Sequence, residues 1–390
     1  MNKVDRNIIL LNLAFFFKGL VFLSPIMLLF YKANGLWAGE FFFFQGIFYL
    51  TAILTELPIG FMADFFSRKS MLMTSVFLLL FNLLLWYFFE GYFIVLLGEI
   101  VLAISKVFLD TSNSTYLYEY LVSKGKEKNM SGYFGGINFY LSLSTSIAMI
   151  LGTYLYMKIG IKNVILAEIV AILICIFLLS FLPRVDAVKK QGKSFKEIIY
   201  VIRSLFQDER LKFYVLFSGI LMATSLFFAT SLQPLMVLVN LPVAVFGFVS
   251  FANHFTRALT VSIAAKFSSR INIKVLAVVV YLFFVGGFLA IFKILSGSKM
   301  DILLLIFLCF AIGVQLLFLI IHVSRLNSLI QSENRALFNS VNSFIARLMS
   351  AIMLLSTVFF VDKTHLFYAT YFVAFVIIST PLLLKIRSGK

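Results

Sequence analysis

The chain has 390 residues, of which 62% are hydrophobic and only 13% are charged. A soluble protein carries about 25% charged residues, so this composition excludes an ordinary soluble enzyme. The formal net charge of +16 could indicate a nucleic-acid partner in a soluble chain. In a multi-span membrane protein it is better explained by cytoplasmic loops, where Lys and Arg collect, so no nucleic-acid partner is expected.

Twelve apolar runs are long enough to cross a membrane, because a spanning helix needs about 20 residues. They predict an all-α integral membrane protein with twelve transmembrane helices, at 7–30, 38–62, 70–89, 92–118, 132–157, 163–183, 211–236, 242–265, 274–295, 302–324, 335–361 and 365–385. The first run has no small-residue cleavage site, so we expect a membrane helix there rather than a removed signal peptide.

The distribution of basic residues orients these helices. Of the 33 Lys and Arg residues, 23 fall on the side of the two termini, six on the opposite side and four inside spans. Cytoplasmic loops are enriched in Lys and Arg, so both termini are expected in the cytoplasm of a bacterial inner-membrane protein.

The longest hydrophilic stretch lies in the middle of the chain. It predicts a cytoplasmic linker at 185–210 between two six-helix bundles at 1–184 and 211–390. Ser194 and Glu197 have capping-box spacing before an apolar periodicity, which favours an amphipathic helix on the inner membrane surface over a plain linker.

Two short internal repeats relate the halves. The segment 63–68 resembles 265–270, and 134–138 resembles 338–342, at offsets of 202 and 204 residues. The two matches follow or open equivalent spans, so we expect two pseudo-symmetric bundles. Related halves in a membrane protein indicate alternating access around a midplane site.

Six charged residues lie deep within predicted spans: Lys18, Glu99, Lys106, Asp110, Arg257 and Arg347. Their insertion costs on the order of 15–20 kcal/mol before pairing, so we expect them to be functional. On span four, Glu99, Lys106 and Asp110 fall within about 20° of one another in helical projection, which predicts one charged face.

These charges favour a substrate with at least one carboxylate or phosphate, because four are basic and two acidic. Glu168, in the outer third of span six, is not counted among them. The alternative is that the six charges pair only with one another and hold helices together. The run Phe41–Phe44 covers every face of span two, so we expect it to meet lipid or neighbouring helices rather than a ligand.

One motif between spans two and three points to a family. The segment 55–69, with Glu56, Gly60, Asp64, Arg68 and a Pro at position 58, resembles the loop signature of the major facilitator superfamily and one bacterial efflux branch of it. The segments 118–121 and 333–336 resemble further motifs of that branch. The Gly-Pro element that marks many drug exporters in span five is absent from 132–156.

The resemblance implies the major facilitator fold and a gate at this loop. Gly60 would allow close helix approach, and Asp64 would brace the two halves at a helix N-terminus. Arg68 would hold the loop in the cytoplasm, and Glu56 completes the set of expected gating residues. A purely topogenic loop is the alternative.

The sequence therefore predicts a secondary active transporter, in which two sets of residues are expected to act. The expected substrate-binding residues are Lys18, Lys106, Arg257, Gln315 and Arg347, and the expected proton-coupling residues are Glu99, Asp110 and His254, the last with a structural polar role as its alternative. No nucleotide-binding loop occurs and the few His, Asp and Glu are scattered, so we expect no ATP drive, no metal, no cofactor and no enzymatic activity.

The expected partners are a small molecule, protons and membrane lipids, and the expected state is a monomer. Proton-coupled export of a zwitterionic or anionic molecule is the favoured activity. Multidrug efflux of lipophilic compounds is the second, and a proton-coupled uptake symporter or a non-transporting scaffold follows.

Overall fold

The computed structural model describes residues 3–126, 130–185, 209–267, 271–297, 299–329, 335–360 and 364–388. These residues are almost entirely helical, and none of them lies in a β-strand. The amphipathic helix predicted around 194–206 falls outside the described residues.

The first half contains six α-helices: α1 (Lys3–Lys18), α2 (Met27–Ala33), α3 (Ala38–Phe65), α4 (Arg68–Phe88), α5 (Tyr92–Val122) and α6 (Met130–Ser180). A short 3-10 helix at Ser24–Ile26 leads into α2. The long α6 has one non-helical residue, Gly160, with φ 77° and ψ 172°, and it contains predicted spans five and six on either side. Positive φ is readily adopted only by Gly, which explains the position of this bend.

The second half also contains six: α7 (Glu209–Leu238), α8 (Val243–Phe267), α9 (Ile273–Leu295), α10 (Asp301–Leu329), α11 (Arg335–Leu355) and α12 (Thr364–Ser388). Within the described residues, eight helices are apolar and long enough to span a membrane, and one of them covers both spans of α6. The predicted all-α membrane fold is confirmed.

Local signals explain several helix ends. The hydroxyl of Ser67 accepts a hydrogen bond from the Ser70 N–H and caps α4, while the Asn272 side chain caps α9 in the same way. Gly91, with φ 106°, separates α4 from α5. The boundary between predicted spans three and four is therefore a turn that requires glycine.

The chain forms two compact units. The first contains Met1–Trp37, Ile47–Gln191 and Pro242–Phe251, and the second contains Ala38–Gly46, Gly192–Leu241 and Ala252–Lys390. In the first unit α4 packs on α5 and α1 packs on α6; in the second, α7 packs on α11, α10 and α12. The beginning of α3 thus belongs to the second unit and the rest of α3 to the first. The beginning of α8 belongs to the first unit and the rest of α8 to the second.

An aromatic cluster fills the second unit around Phe227. The ring of Phe42 stacks on Phe227 at 6.0 Å between centroids and contacts Phe367 at 5.3 Å. Phe41, Phe42 and Phe44 are all buried. Neighbouring helices therefore cover most of the Phe41–Phe44 run.

Two glycine contacts repeat at the spacing of the internal repeats. In the second unit, a Cβ at Gly46 would lie 2.9 Å from the Leu355 backbone N; in the first unit, a Cβ at Gly247 would lie 2.7 Å from the Met149 carbonyl and overlap Thr153. Gly46 and Gly247 are 201 residues apart, and Thr153 and Leu355 are 202 apart. The same helix-on-helix contact is therefore built once in each unit.

Candidate functional site

The first predicted span is not one continuous helix. Helix α1 ends at Lys18, and the residues from Gly19 to Leu23 are non-helical before the 3-10 turn. A Cβ at Gly19 would lie 2.8 Å from the Leu141 carbonyl of α6, so this close approach requires glycine. Pro25 cannot donate a backbone hydrogen bond and begins the new turn. The prediction of an unbroken helix at 7–30 is wrong at this point.

Helix α6 holds the broken segment through several contacts. Oε2 of Glu168 accepts a 2.9 Å hydrogen bond from the Leu23 N–H, and the Thr145 hydroxyl donates a 3.2 Å hydrogen bond to the Gly19 carbonyl. The Phe22 carbonyl lies so close to Gly152 that a Cβ there would overlap it. Glu168 is only 5% exposed, so its carboxyl group is buried against the break.

Lys18 lies at the end of α1 in a set of four charges. Lys106, Asp110 and Glu168 all act electrostatically on its ammonium group. Lys106 and Asp110 form an ion pair one helical turn apart on α5, and both side chains are exposed. The structure thus brings together three expected site residues and adds Glu168, which the sequence did not indicate.

Glu99 differs in burial from the other two residues of the predicted charged face. Its side chain has no exposed surface and accepts a 2.7 Å hydrogen bond from the Tyr31 hydroxyl, whereas the side chains of Lys106 and Asp110 are exposed. Helical projection places the three residues on one side of α5, and Tyr31 of α2 contacts Glu99 there. The charged face shared by the three residues stays a prediction, and burial separates Glu99 from the two exposed members.

Further buried polar groups lie beside Glu99, where α4 meets α5. Asn82 and Trp86 are 1% and 3% exposed, and a Cβ at Gly98 would overlap the Trp86 indole N–H and contact the Asn82 carbonyl oxygen. Within the described part of the chain, the Asn82 amide, Trp86 Nε1 and Glu99 Oε2 have no hydrogen-bond partner. Such unpaired atoms are uncommon in protein interiors and are often satisfied by buried water.

The expected site residues of the second unit lie on three helices. Arg257 is exposed on α8 and acts electrostatically on His254 one turn earlier, Arg347 is partly exposed on α11, and Gln315 is buried on α10. Asn342 accepts a 3.1 Å hydrogen bond from Ser218 and links α11 to α7. Arg257 and Arg347 are the two basic residues of the second unit that the sequence places deep within spans.

The loop between α3 and α4 is anchored by its basic pair. Arg68 is 8% exposed; its Nε contacts Glu119 Oε1 at 3.1 Å and its terminal nitrogen donates to the Ala63 carbonyl at 2.6 Å. Lys69 donates to the Ser180 carbonyl at 2.7 Å, at the end of α6. The loop therefore fastens α3, α5 and α6 to one another, in addition to any topogenic role.

The remaining loop residues are placed differently. Glu56 is half-buried on α3, and Gly60 is exposed with no described atom within 4 Å of the position of a Cβ. The close helix approach expected at Gly60 is therefore not seen among the described residues. The Asp64 side chain lies outside what the structure describes, so its bracing role stays a prediction.

Comparisons with known proteins agree with this architecture. The sequence profile of the Major Facilitator Superfamily matches residues 8–354. No curated protein matches the sequence. The nucleoside transporter NupG has a similar structure, with a TM-score of 0.80 at 14% identity over 98% of this chain and 99% of that one.

Two other solved structures share the fold at equally low identity. A bacterial homologue of the human lysosomal transporter Spinster gives a TM-score of 0.71 at 13% identity, covering 100% of this chain and 98% of that one. The peptide transporter POT, solved with sulfate, gives 0.72 at 13% identity over 97% and 94%. At such identities the similarity extends to the fold alone.

Proposed function

This chain belongs to the major facilitator superfamily, and we propose that it is a proton-coupled exporter of a small zwitterionic or anionic molecule. It would work by alternating access between its two halves. The observation that carries the proposal is the set of charges around Lys18 in the first unit, which includes Lys106, Asp110 and Glu168. Ionisable residues inside a membrane are costly and mark substrate and proton pathways.

The charge balance of this set favours a zwitterion over a simple anion. Lys18 and Lys106 are matched by Asp110 and Glu168, so the first unit offers both signs of charge. The second unit holds Arg257 and Arg347, whose planar guanidinium groups can each bind a carboxylate through two hydrogen bonds. Gln315 would add a neutral hydrogen bond.

Asp110 is the preferred proton carrier. It is an exposed carboxylate paired with Lys106. It can therefore take up a proton from water, and it can form the ion pair with Lys106 again when the proton is released. Glu99 is kept as a second protonation site because Oε2 lacks a described partner, and His254 as a third, beside Arg257. Gating is assigned to Glu56, Gly60, Asp64 and Arg68.

Energy coupling and placement complete the proposal. The sequence has no nucleotide-binding loop, which supports an ion gradient as the energy source. The excess of basic residues on one side supports cytoplasmic termini in a bacterial inner membrane. We propose a monomer of two bundles, at 1–184 and 211–390, surrounded by lipid and joined by the segment 185–210.

The test is substrate-dependent proton movement. The purified protein is reconstituted into proteoliposomes with the pH indicator pyranine inside, and a pH gradient is imposed. A dipeptide, an amino acid, a nucleoside, a dicarboxylate and a lipophilic cation are then added in turn. We expect transport of a zwitterion or an anion, but not of the cation, to be accompanied by proton movement in the opposite direction.

Three results would change the assignment. Proton movement with lipophilic cations alone would support multidrug efflux. Co-directional movement of proton and compound would support an uptake symporter. Absence of transport across the whole panel, with ligand-dependent thermal stabilisation retained, would support a non-transporting binding protein.

A further inference from the structure

The break in the first membrane-spanning segment is a property of one half only. At the repeat offset of 202 residues, Gly19–Leu23 corresponds to 221–225, which lie within the continuous helix α7 (Glu209–Leu238). Gly152 corresponds to Leu354, and Glu168 corresponds to Thr370. The second half keeps the fold with none of these features, so the fold itself does not require the break.

The Phe22–Leu23 peptide group is clamped between the two parts of α6. Its carbonyl packs against Gly152, which precedes the bend at Gly160, and its N–H donates to the Glu168 carboxylate, which follows the bend. A carboxylate that accepts a backbone N–H makes one of the stronger hydrogen bonds in proteins. The Glu168 carboxylate therefore accepts the hydrogen bond that the Leu23 N–H would donate to a backbone carbonyl in a continuous helix.

The break determines what covers Lys18. In a continuous helix, residues 18 and 22 would be neighbours on one face, and the longer side chains lean toward the N-terminus. The Phe22 ring would then lie over Lys18. In the structure Phe22 is buried and Lys18, at the free end of α1, remains partly exposed beside Lys106 and Asp110.

We propose that Glu168 is a positioning residue of the substrate site: by holding the Leu23 N–H it keeps the first span broken and the Lys18 ammonium group uncovered. The inference rests on the proposed function, because it assigns Lys18 to the substrate. Discontinuous helices with unwound backbone are the elements that form binding sites in several transporter folds. Glu168 acts through the backbone and needs no contact with the substrate.

The experiment measures how accessible position 18 is, without any substrate. Lys18→Cys is placed in a background carrying Cys175→Ala and Cys309→Ala, and the full-length protein is studied in nanodiscs, where both membrane faces are open. The rate of modification by 2-sulfonatoethyl methanethiosulfonate is compared with that after adding Glu168→Gln or Glu168→Leu. Glu90→Gln, in an exposed ion pair with Lys162, is the matched control.

The amide of Glu168→Gln can still accept the Leu23 N–H, so its rate should stay within threefold of the parent. Glu168→Leu should slow the reaction at least tenfold, and adding Phe22→Ala should restore the rate by removing the cover. Gly152→Ala, which displaces the same peptide from the other side, should also slow it and serves if Glu168→Leu does not fold. Equal rates in parent and Glu168→Leu, or equally slow rates in both Glu168 variants, would overturn the proposal.

A second measurement separates this inference from the proposed function. Lys18→Met is tested in the proteoliposome assay, where the substrate assignment requires loss of coupled transport. If Lys18→Met abolishes transport but labelling does not depend on Glu168, only the positioning role fails. If labelling follows the expected order but Lys18→Met transports like the parent, the substrate assignment of Lys18 fails, and the role of Glu168 in that site fails with it.

Discussion

The Tyr31 hydroxyl donates a 2.7 Å hydrogen bond to Oε1 of Glu99, a carboxyl group with no exposed surface, across 68 positions of the chain. This bond ties the short helix α2, which follows the break, to the N-terminal part of α5. Because Oε2 of Glu99 has no partner in the described part of the chain, the Tyr31 bond is the principal hydrogen bond seen at this carboxyl group.

Removing the Tyr31 hydroxyl should destabilise the protein. Tyr31→Phe leaves the buried Glu99 carboxyl group without its donor, which costs about 1–3 kcal/mol and should lower the unfolding temperature in detergent. Tyr31→Phe combined with Glu99→Leu should recover most of the loss, since replacing both partners by apolar groups can be nearly neutral. Tyr154→Phe, at a 52% exposed residue, is the control. A Tyr31→Phe protein as stable as the parent would contradict this account.

Asp110→Asn should uncouple transport from protons. The amide is close in size to the carboxyl group but cannot carry the proton, so substrate-driven pH changes should disappear while substrate exchange is partly retained. Pyranine fluorescence and radiolabel counterflow measure the two activities separately. Glu90→Gln should behave like the parent, because exposed ion pairs contribute little. Parental gradient-driven accumulation in Asp110→Asn would make Asp110 a structural residue.

The sequence was sufficient for the fold because membrane insertion is decided by composition over long windows, and apolar runs separated by basic loops are local features. The break after Lys18 was not predicted. Its cause combines Gly19, visible in the sequence, with Glu168, which is 145 positions away from its partner Leu23. Helical projection predicts the side of α5 on which Glu99 lies but not its burial, because burial depends on which neighbouring helix packs against that part of α5.

Arg68 and Glu119 should behave as a buried ion pair. Their side chains are 10% and 4% exposed, and removal of one partner of such a pair costs about 3–5 kcal/mol because the other charge stays buried. Arg68→Met should therefore lower the unfolding temperature strongly, and Arg68→Met with Glu119→Leu should restore most of it. Lys124→Met, at an exposed residue just after α5, controls for the loss of a basic residue. Additive losses in the double variant would show that the two side chains act independently.

Two glycines of α3 should respond oppositely to alanine. At Gly46 the added methyl group would meet Leu355, and overpacking of this kind costs about 1–3 kcal/mol. At Gly60 no described atom lies within 4 Å, and replacing a helical Gly by Ala gains about 0.5–1 kcal/mol. Thermal unfolding of Gly46→Ala and Gly60→Ala provides the comparison, and Gly247→Ala should match Gly46→Ala. A stable Gly60→Ala protein that has lost transport would support the gating role expected for this position.

Arg347 tests the sign of charge on which the substrate assignment depends. A guanidinium group can bind a carboxylate through two parallel hydrogen bonds. The ammonium group of Arg347→Lys keeps the charge but cannot form that pair of hydrogen bonds. Binding of a zwitterionic or anionic substrate should weaken by about 1.5–3 kcal/mol, or roughly 10- to 150-fold in Kd, and further in Arg347→Gln. Titration calorimetry on the purified variants measures the affinity, and Lys162→Gln, at an exposed surface residue, is the control.

If lipophilic cations prove to be the better substrates, and Arg347→Gln reduces both their transport and the protein yield, then Arg347 holds helices together. The multidrug interpretation would then replace the proposal of a zwitterionic substrate, because a guanidinium group repels a cation and would serve only in helix packing.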